Sequence, residues 1–203
     1  MTGVDFSPEA IATARLLAEK AGLEATFVES DVYALTEHAL GEFDIVHTSY
    51  GVLGWLPDLD RWARVVAAHL ARGGLFHLVE NHGFALMLDD DGVAIRWPYL
   101  SMGEPIRIET EGSYAAAVPG GALIEYGWAH GMGEVVTALI GAGLRIAWLR
   151  EYPRTPYPFP KFLERRPEGD YGWPGGREDI PLTFSIGARK ARSEKAAPAS
   201  SRS

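Results

Sequence analysis

The chain has 203 residues, of which 47% are hydrophobic and 23% are charged, and it contains no cysteine. This length and composition predict one globular domain with a full hydrophobic core. The missing cysteines exclude disulfides, thiolate catalysis and cysteine-type zinc sites. The formal net charge of -8 argues against nucleic acid as a partner, because that binding relies on Lys and Arg to neutralise phosphates.

The sequence also argues against a membrane partner and a metal site. No apolar run approaches the roughly 18 residues that a membrane span needs, and the N-terminus has no signal-peptide pattern. We therefore expect a cytoplasmic protein without a membrane partner. The six histidines include no pair at i, i+4 spacing, so we predict no metal site.

The first half of the chain alternates between short strands and helices. The predicted strands are Thr2 to Asp5, Ala25 to Glu29, Asp44 to Thr48 and Leu75 to Glu80. One predicted helix opens at Ser7-Pro8-Glu9 and stops at Gly22, and another opens at Pro57-Asp58 and stops at Gly73-Gly74. This alternation is typical of βαβ units and predicts an α/β fold with a parallel sheet.

Polar residues follow the predicted strands at their carboxyl ends. These residues are Asp5, Asp31, Thr48-Ser49-Tyr50 and Asn81-His82. Ligands of parallel α/β sheets bind beyond the carboxyl ends of the strands. The sequence therefore predicts a ligand site built from these side chains.

The second half has a different character. An inserted, strand-rich segment is predicted at about 92–126, then a helix from Gly131 to Gly143 and a strand from Leu144 to Glu151. The Pro-, Gly- and aromatic-rich segment from Tyr152 to Ile180 predicts a long loop, before a last strand from Leu182 to Ala188. We predict one domain over 1–189 and a disordered tail over 190–203.

Four motifs in order carry a resemblance to a known family. They are Gly3 to Ile11 (GVDFSPEAI), Glu29 to Val32 (ESDV), Phe43 to Val46 (FDIV) with Gly51 to Leu56 (GVLGWL), and Leu70 to Phe76 (LARGGLF). Together they resemble the motifs at strands 2, 3, 4 and 5 of class I S-adenosylmethionine-dependent methyltransferases of the small-molecule type. The resemblance is close over residues 2–82 and looser to Ala188.

The resemblance implies a Rossmann-like methyltransferase sheet, mostly parallel with an antiparallel last strand, and S-adenosylmethionine as cofactor. Asp5 then matches the acid that binds the ribose hydroxyls, and Phe6 lies beside the adenine. Asp31 matches the acid that takes the adenine amino group, and the Val32 amide donates to a ring nitrogen. Thr48 matches the region that borders the methionine moiety.

Two residues are candidates for the chemistry. Tyr50 matches the region that faces the methyl acceptor, and His82 follows the fifth strand of the family, where a base can reach an acceptor. Structural alternatives stay open for each: Tyr50 as a packing aromatic, His82 as a solvated loop residue, and Asp5 and Asp31 as ordinary turn or helix-capping acids.

One departure from the family pattern is large. The family's first strand, its glycine-rich E/D-x-G-x-G-x-G loop and its first helix are absent from this sequence. The family strand order 3-2-1-4-5-7-6 then leaves strands 2 and 4 without their shared neighbour. Either these strands pair directly or the natural protein is longer, and we expect the second. An unfilled sheet edge also favours self-association into a homo-oligomer.

The functional hypothesis is methyl transfer from S-adenosylmethionine to a small-molecule acceptor, with activity weakened where the glycine-rich loop is missing. One alternative is a non-catalytic methyltransferase-like remnant or interaction module. Another is an oxidoreductase that binds a different nucleotide cofactor on a similar sheet.

Overall fold

The computed structural model describes residues 1–110, 112–113, 116–117 and 123–192. Its longer strands are β1 (Thr2–Asp5), β2 (Thr26–Glu29), β3 (Phe43–Ser49), β4 (Leu70–Asn81), β5 (Ile106–Thr110), β8 (Leu123–Gly127), β9 (Leu144–Tyr152) and β13 (Thr183–Lys190). The two-residue strands are β6 (Gly112–Ser113), β7 (Ala116–Ala117), β10 (Arg154–Thr155), β11 (Glu164–Arg165) and β12 (Tyr171–Gly172). The helices are α1 (Pro8–Lys20), α2 (Leu59–His69), α3 (Gly83–Leu86) and α4 (Met132–Gly141).

The first two helices begin where their capping residues predict. The Ser7 hydroxyl accepts a hydrogen bond from the Ala10 amide at 3.2 Å, and Pro8 occupies the first helical position of α1. The Asp58 carboxylate accepts from the Arg61 amide at 2.8 Å at the start of α2. These side chains satisfy amide groups that the first turn leaves without an acceptor.

The main sheet has four strands in the order β3-β4-β13-β9. β3 and β4 are parallel, whereas β13 is antiparallel to both of its neighbours, β4 and β9. β9 therefore runs in the same direction as β3 and β4. The expected fold class, an α/β sheet that is mostly parallel with an antiparallel last strand, is confirmed.

The first two strands form a separate parallel pair. β1 hydrogen-bonds with β2 over its four residues, and within the described part of the chain neither strand belongs to the main sheet. β1 and β3 correspond to strands 2 and 4 of the family order given above. Direct pairing between these two strands, the first alternative, is therefore not what the chain adopts.

Tyr33 connects this pair to the rest of the molecule. It lies in a short 3-10 helix, Val32–Glu37, that follows β2. Its hydroxyl donates to the Asp58 carbonyl and accepts from the Asp58 amide, both at 3.0 Å. The Arg61 guanidinium lies 4.7 Å from the centre of the Tyr33 ring. The end of β2 is thereby attached to the first turn of α2.

The main hydrophobic core lies between one face of the four-stranded sheet and the helices α2 and α4. Its fully buried members include Trp62, Leu70, Phe76, Leu78, Val135, Leu139 and Ile186. The Trp62 and Phe76 rings meet edge to face at 5.6 Å between their centres. On α4, Ala138 and Leu139 face the core, whereas Ile140 is 56% exposed.

The opposite face of the sheet carries a row of aromatic rings. The imidazoles of His47 and His77 stack at 5.1 Å, and the indole of Trp148 lies 6.3 Å from His77. Trp148 covers Gly187 of the neighbouring strand, where a β-carbon would lie 2.3 Å from the indole ring. Gly187 is therefore required for this packing.

Two predictions in the second half are wrong in part. The segment from Tyr152 to Ile180 is not a featureless loop, since it forms the small antiparallel sheet β10-β12-β11. Its strands are only two residues long, too short for any periodic pattern. The tail predicted over 190–203 begins too early, because Lys190 ends β13 and donates to the Leu70 carbonyl at 2.7 Å.

The inserted segment predicted at about 92–126 contains the antiparallel pair β5 and β8 and the short pair β6 and β7. Residues 111, 114–115, 118–122 and 193–203 lie outside the described residues, so neither the rest of that insert nor the rest of the tail can be compared with its prediction.

A matched pair of leucines tests the assigned core. Leu139 on α4 is fully buried, whereas Leu17 on α1 is 60% exposed. We expect Leu139→Ala to lower the free energy of unfolding by about 2–5 kcal/mol, because it leaves a cavity. Leu17→Ala should change it by less than about 0.5 kcal/mol. Urea unfolding followed by circular dichroism measures both, and equal losses would contradict the assignment.

Candidate functional site

Asp5 and Asp31 lie at the same edge of the β1-β2 pair. Asp5 is the last residue of β1 and is in register with Glu29, the last residue of β2. The Ser30 amide extends the ladder by donating to the Asp5 carbonyl at 3.0 Å. Asp31 follows directly, so both acids leave the carboxyl ends of neighbouring parallel strands.

Each acid also has a local structural partner. One oxygen of Asp5 accepts from the Ser7 amide at 2.8 Å, and one oxygen of Asp31 accepts from the Tyr33 amide, also at 2.8 Å. Among the described residues, the second carboxylate oxygen of each acid has no hydrogen-bond donor. These local bonds, a turn at Asp5 and a helix cap at Asp31, leave one acceptor oxygen on each side chain for a ligand, so the structural and ligand-binding interpretations of these acids are compatible.

The two neighbouring cofactor candidates are differently exposed. The Phe6 ring is 73% exposed beside Asp5, so it offers an apolar face to a planar ligand. The Val32 side chain packs against the main core while its amide begins the 3-10 helix. The first amides of such a helix lack an acceptor within the helix, which leaves this donor for a ligand.

The chain turns sharply where β3 ends. Thr48 lies within the strand, and the Tyr50 amide still donates to the Val79 carbonyl of β4 at 2.8 Å. Tyr50 then adopts a φ of 37° and Gly51 a φ of 82°. Tyr50 is the one non-glycine residue in the described part of the chain with a positive φ. Such strained backbone persists only where the surrounding structure holds it in place.

Glu80, which the sequence analysis did not select, lies directly under this turn. It is the penultimate residue of β4 and is 4% exposed. One of its carboxylate oxygens accepts from the amides of Gly51 and Asn81, the latter at 2.7 Å, and the other accepts from the Leu53 amide at 3.2 Å. Burial raises the pKa of Glu80, and the backbone amides around it lower the pKa by less.

A second tyrosine contacts the Tyr50 ring. Tyr157, from the segment predicted as a loop, meets it edge to face at 5.1 Å. At the end of β9 the Tyr152 hydroxyl lies 3.1 Å from the Ser185 hydroxyl. Burial raises the pKa of Tyr50, and the nearby ionisable groups Tyr157, Glu80 and Tyr152 raise it further. Tyr50 is therefore a neutral phenol near neutral pH, able to donate a hydrogen bond.

His82 is buried, not solvated, at 6% exposure. Its Nδ1 accepts from the Phe84 amide at 3.1 Å and so caps α3, and its Nε2 lies 2.9 Å from a carboxylate oxygen of Glu151. An Nδ1 that accepts implies that the proton of a neutral ring is on Nε2 and is donated to Glu151. Nδ1 then carries the lone pair of the ring, so His82 must release the Phe84 amide before it can take a proton from an acceptor.

A pocket of about 290 Å³ adjoins His82. Phe84, Met87 and Tyr99 line the rest of it, and its walls are mostly apolar. The Tyr99 hydroxyl accepts from the Met132 amide at 3.1 Å, which anchors this wall to the start of α4. The pocket lies beyond the carboxyl end of β4, where the fold places ligands.

The described residues contain no group of three His, Asp or Glu side chains that could hold a metal ion. No helix in the described part of the chain is long and apolar enough to cross a membrane.

The residues present fit the nucleoside half of S-adenosylmethionine. The unpaired oxygens of Asp5 and Asp31 are acceptors for hydroxyl and amino donors, and both acids leave one edge of a parallel strand pair. The exposed Phe6 ring lies next to Asp5 in the chain. This donor and acceptor set suits a ribose and an adenine.

Residues 1–76 match a family model described as a methyltransferase domain. That stretch runs from β1 to the middle of β4 and contains Asp5, Phe6, Asp31, Val32, Thr48 and Tyr50. No curated protein matches the chain in sequence.

Solved structures with a similar fold extend over nearly the whole chain. An S-adenosylmethionine-dependent methyltransferase from Clostridium acetobutylicum has a TM-score of 0.59 at 12% identity, covering 94% of this chain and 74% of the other. One from Methanosarcina mazei has a TM-score of 0.56 at 19% identity, covering 94% and 82%. The glycopeptide N-methyltransferase MtfA, complexed with S-adenosylmethionine, has a TM-score of 0.52 at 16% identity, covering 93% and 76%.

The fold and the domain match agree with the resemblance carried by the four sequence motifs. Residues 1–76 therefore match a methyltransferase domain, and the chain shares the fold of solved S-adenosylmethionine-dependent methyltransferases, including the sheet with an antiparallel last strand.

Proposed function

We propose that the chain transfers a methyl group from S-adenosylmethionine to a small-molecule acceptor, with the nucleoside held at β1 and β2 and the acceptor held near Tyr50. The observation that carries this proposal is the pair of acids, Asp5 and Asp31, at the ends of two hydrogen-bonded parallel strands, each with one free oxygen. The glycopeptide N-methyltransferase complexed with S-adenosylmethionine supports the same ligand.

Each candidate cofactor-binding residue would contact a different part of S-adenosylmethionine. Asp5 would accept from the ribose hydroxyls and Asp31 from the adenine amino group, with Phe6 against the adenine and the Val32 amide donating to a ring nitrogen. Thr48 would border the methionine moiety. When bound, S-adenosylmethionine supplies an electrophilic methyl group on a sulfonium. The protein must then mainly orient the acceptor and keep water away.

Tyr50 would orient the acceptor by donating a hydrogen bond. Its raised pKa keeps the phenol neutral, and the edge-to-face contact with Tyr157 restricts the ring. His82 stays the second candidate, as a base for an acceptor that loses a proton. Its neutral ring donates to Glu151, so proton uptake would pass through a change in the capping bond to Phe84.

A cytoplasmic location and the lack of a nucleic-acid partner belong to the same proposal. The net charge of -8 supports the second, since a surface of this sign repels phosphate. Self-association through free strand edges also stays a prediction.

The separate β1-β2 pair favours a second candidate function. Because no backbone hydrogen bond joins this pair to the main sheet in the described part of the chain, the nucleoside half of the site lacks support from the sheet. A non-catalytic interaction module with the methyltransferase fold is therefore the alternative.

Calorimetry with S-adenosylmethionine separates the two functions. The catalytic proposal expects saturable binding with a dissociation constant in the micromolar range, which corresponds to about -8 kcal/mol. An undetectable heat at millimolar ligand would favour the interaction module. Titration with NAD should give no saturable signal, and saturation there would instead support an oxidoreductase.

Single substitutions of the two acids test the nucleoside assignment. In Asp5→Asn and Asp31→Asn the amide oxygen can still accept from the Ser7 and Tyr33 amides, so the fold is kept while the charge is lost. We expect each to weaken S-adenosylmethionine binding by about tenfold or more, since hydrogen bonds to charged groups contribute about 1.5–3 kcal/mol.

Asp44→Asn is the matched control. Asp44 is exposed at the opposite, amino-terminal end of β3, and its substitution should leave the dissociation constant unchanged. Equal affinities for all four proteins would remove Asp5 and Asp31 from the site. Thermal unfolding of each variant checks that the folded state is retained.

A further inference from the structure

We propose that Glu80 is a positioning residue, whose buried carboxylate holds the backbone turn at Tyr50 and Gly51 and thereby sets where Tyr50 faces the methyl acceptor. This inference rests on the proposed function, in which Tyr50 borders the acceptor. Glu80 itself is assigned no contact with ligand.

The turn presents backbone amides that have no strand partner. After Tyr50 the chain leaves the β3-β4 ladder, and the amides of Gly51 and Leu53 point toward the end of β4. One ionised carboxylate has enough lone pairs to accept from both and from Asn81 as well. Hydrogen bonds of this kind, from amides to a charged acceptor, are stronger than bonds between neutral groups.

These bonds explain how Tyr50 keeps an unfavourable conformation. A φ of 37° places its backbone in the left-handed region, which a non-glycine residue occupies only when neighbouring contacts impose it. The Val79 carbonyl holds the Tyr50 amide on one side of the turn, and Glu80 holds the Gly51 amide on the other. The peptide planes on both sides of Tyr50 are thereby set by β4.

The side-chain direction of Tyr50 follows from those planes. In this conformation the ring meets Tyr157, at 5.1 Å between ring centres. An extended φ at Tyr50 would point the side chain elsewhere and separate the two rings. Glu80 thus acts on the site through the backbone, from beneath the turn.

Several titratable groups lie around Glu80, and protonation of Glu80 itself should affect the turn. Tyr50 faces it from the turn, Tyr152 and Tyr157 lie next to Tyr50, and His82, two residues later in the chain, is paired with Glu151. Burial raises the pKa of Glu80 above the usual value for Glu of about 4.3. Taking up a proton turns one acceptor oxygen into a donor, which opposes a backbone amide and loosens the turn.

The test compares wild-type protein with Glu80→Gln and with Glu42→Gln. Gln keeps the shape of the side chain but turns one amide nitrogen, a donor, toward backbone donors. Glu42 provides the matched control, because it precedes β3 at the opposite end of the strands, where its exposed side chain pairs with Lys190. Amide hydrogen exchange and calorimetry with S-adenosylmethionine are measured on all three, from about pH 5 to about pH 8.

We expect Glu80→Gln to speed exchange at Gly51 and Leu53 by about tenfold while Leu78, in the middle of β4, is unchanged. Its affinity for S-adenosylmethionine should be about tenfold lower at the upper end of the pH range. Wild-type affinity should fall as the pH is lowered and Glu80 takes up its proton, and Glu80→Gln should lose that part of the pH profile. Glu42→Gln should match the wild type in every respect.

Wild-type exchange rates and an unchanged pH profile in Glu80→Gln would overturn the inference, since a residue that only fills space would give that result. If the wild type binds no S-adenosylmethionine, the proposed function fails, and exchange at Gly51 and Leu53 decides the role of Glu80 alone. If Glu80→Gln does not fold, the wild type decides it: protection at these two amides should fall toward low pH, and constant protection would refute the inference.

Discussion

The central strand β4 is the element on which the rest of the structure depends. It pairs with β3 on one side and with β13 on the other, so the parallel and antiparallel parts of the sheet meet along it. Its alternating side chains place Phe76 and Leu78 in the core. The same alternation puts Glu80 at the carboxyl end, on the buried face, where a carboxylate must find donors or lose its charge. The strand therefore connects the packing of the core with the geometry of the candidate site.

The elements that local chemistry determines could be predicted from the sequence. Ser7 and Asp58 begin their helices because a short polar side chain satisfies the first amides, and this signal is contained within four residues. The positions of Asp5 and Asp31 at strand ends could also be predicted, because each acid ends or closely follows a short strand in the sequence. Their dual use, one oxygen bonded to a local backbone amide and one left over, could not be predicted, because it depends on which amide each oxygen meets.

Features created by contacts distant in sequence escaped prediction. In the sequence, Glu80 looks like any acid near the end of a strand. Its role depends on the amides of Gly51 and Leu53, which lie almost thirty residues earlier in the chain. His82 looked like a loop residue, yet Glu151 of a strand formed much later in the chain buries and pairs it. The segment after Tyr152 was expected to be a loop because strands of two residues leave no period in the sequence. Such features depend on the completed sheet.

The attachment made by Tyr33 has a mechanical consequence for the nucleoside half of the site. Asp31 and Tyr33 share one turn, and the Tyr33 hydroxyl is bound to both backbone groups of Asp58, the residue that caps α2. Strain applied at the start of α2 is therefore transmitted to Asp31 through two hydrogen-bonded links, although Asp58 itself belongs to no part of the predicted ligand site. If Asp31 binds the nucleoside as proposed, a change confined to that helix terminus is expected to alter ligand affinity without contacting the ligand.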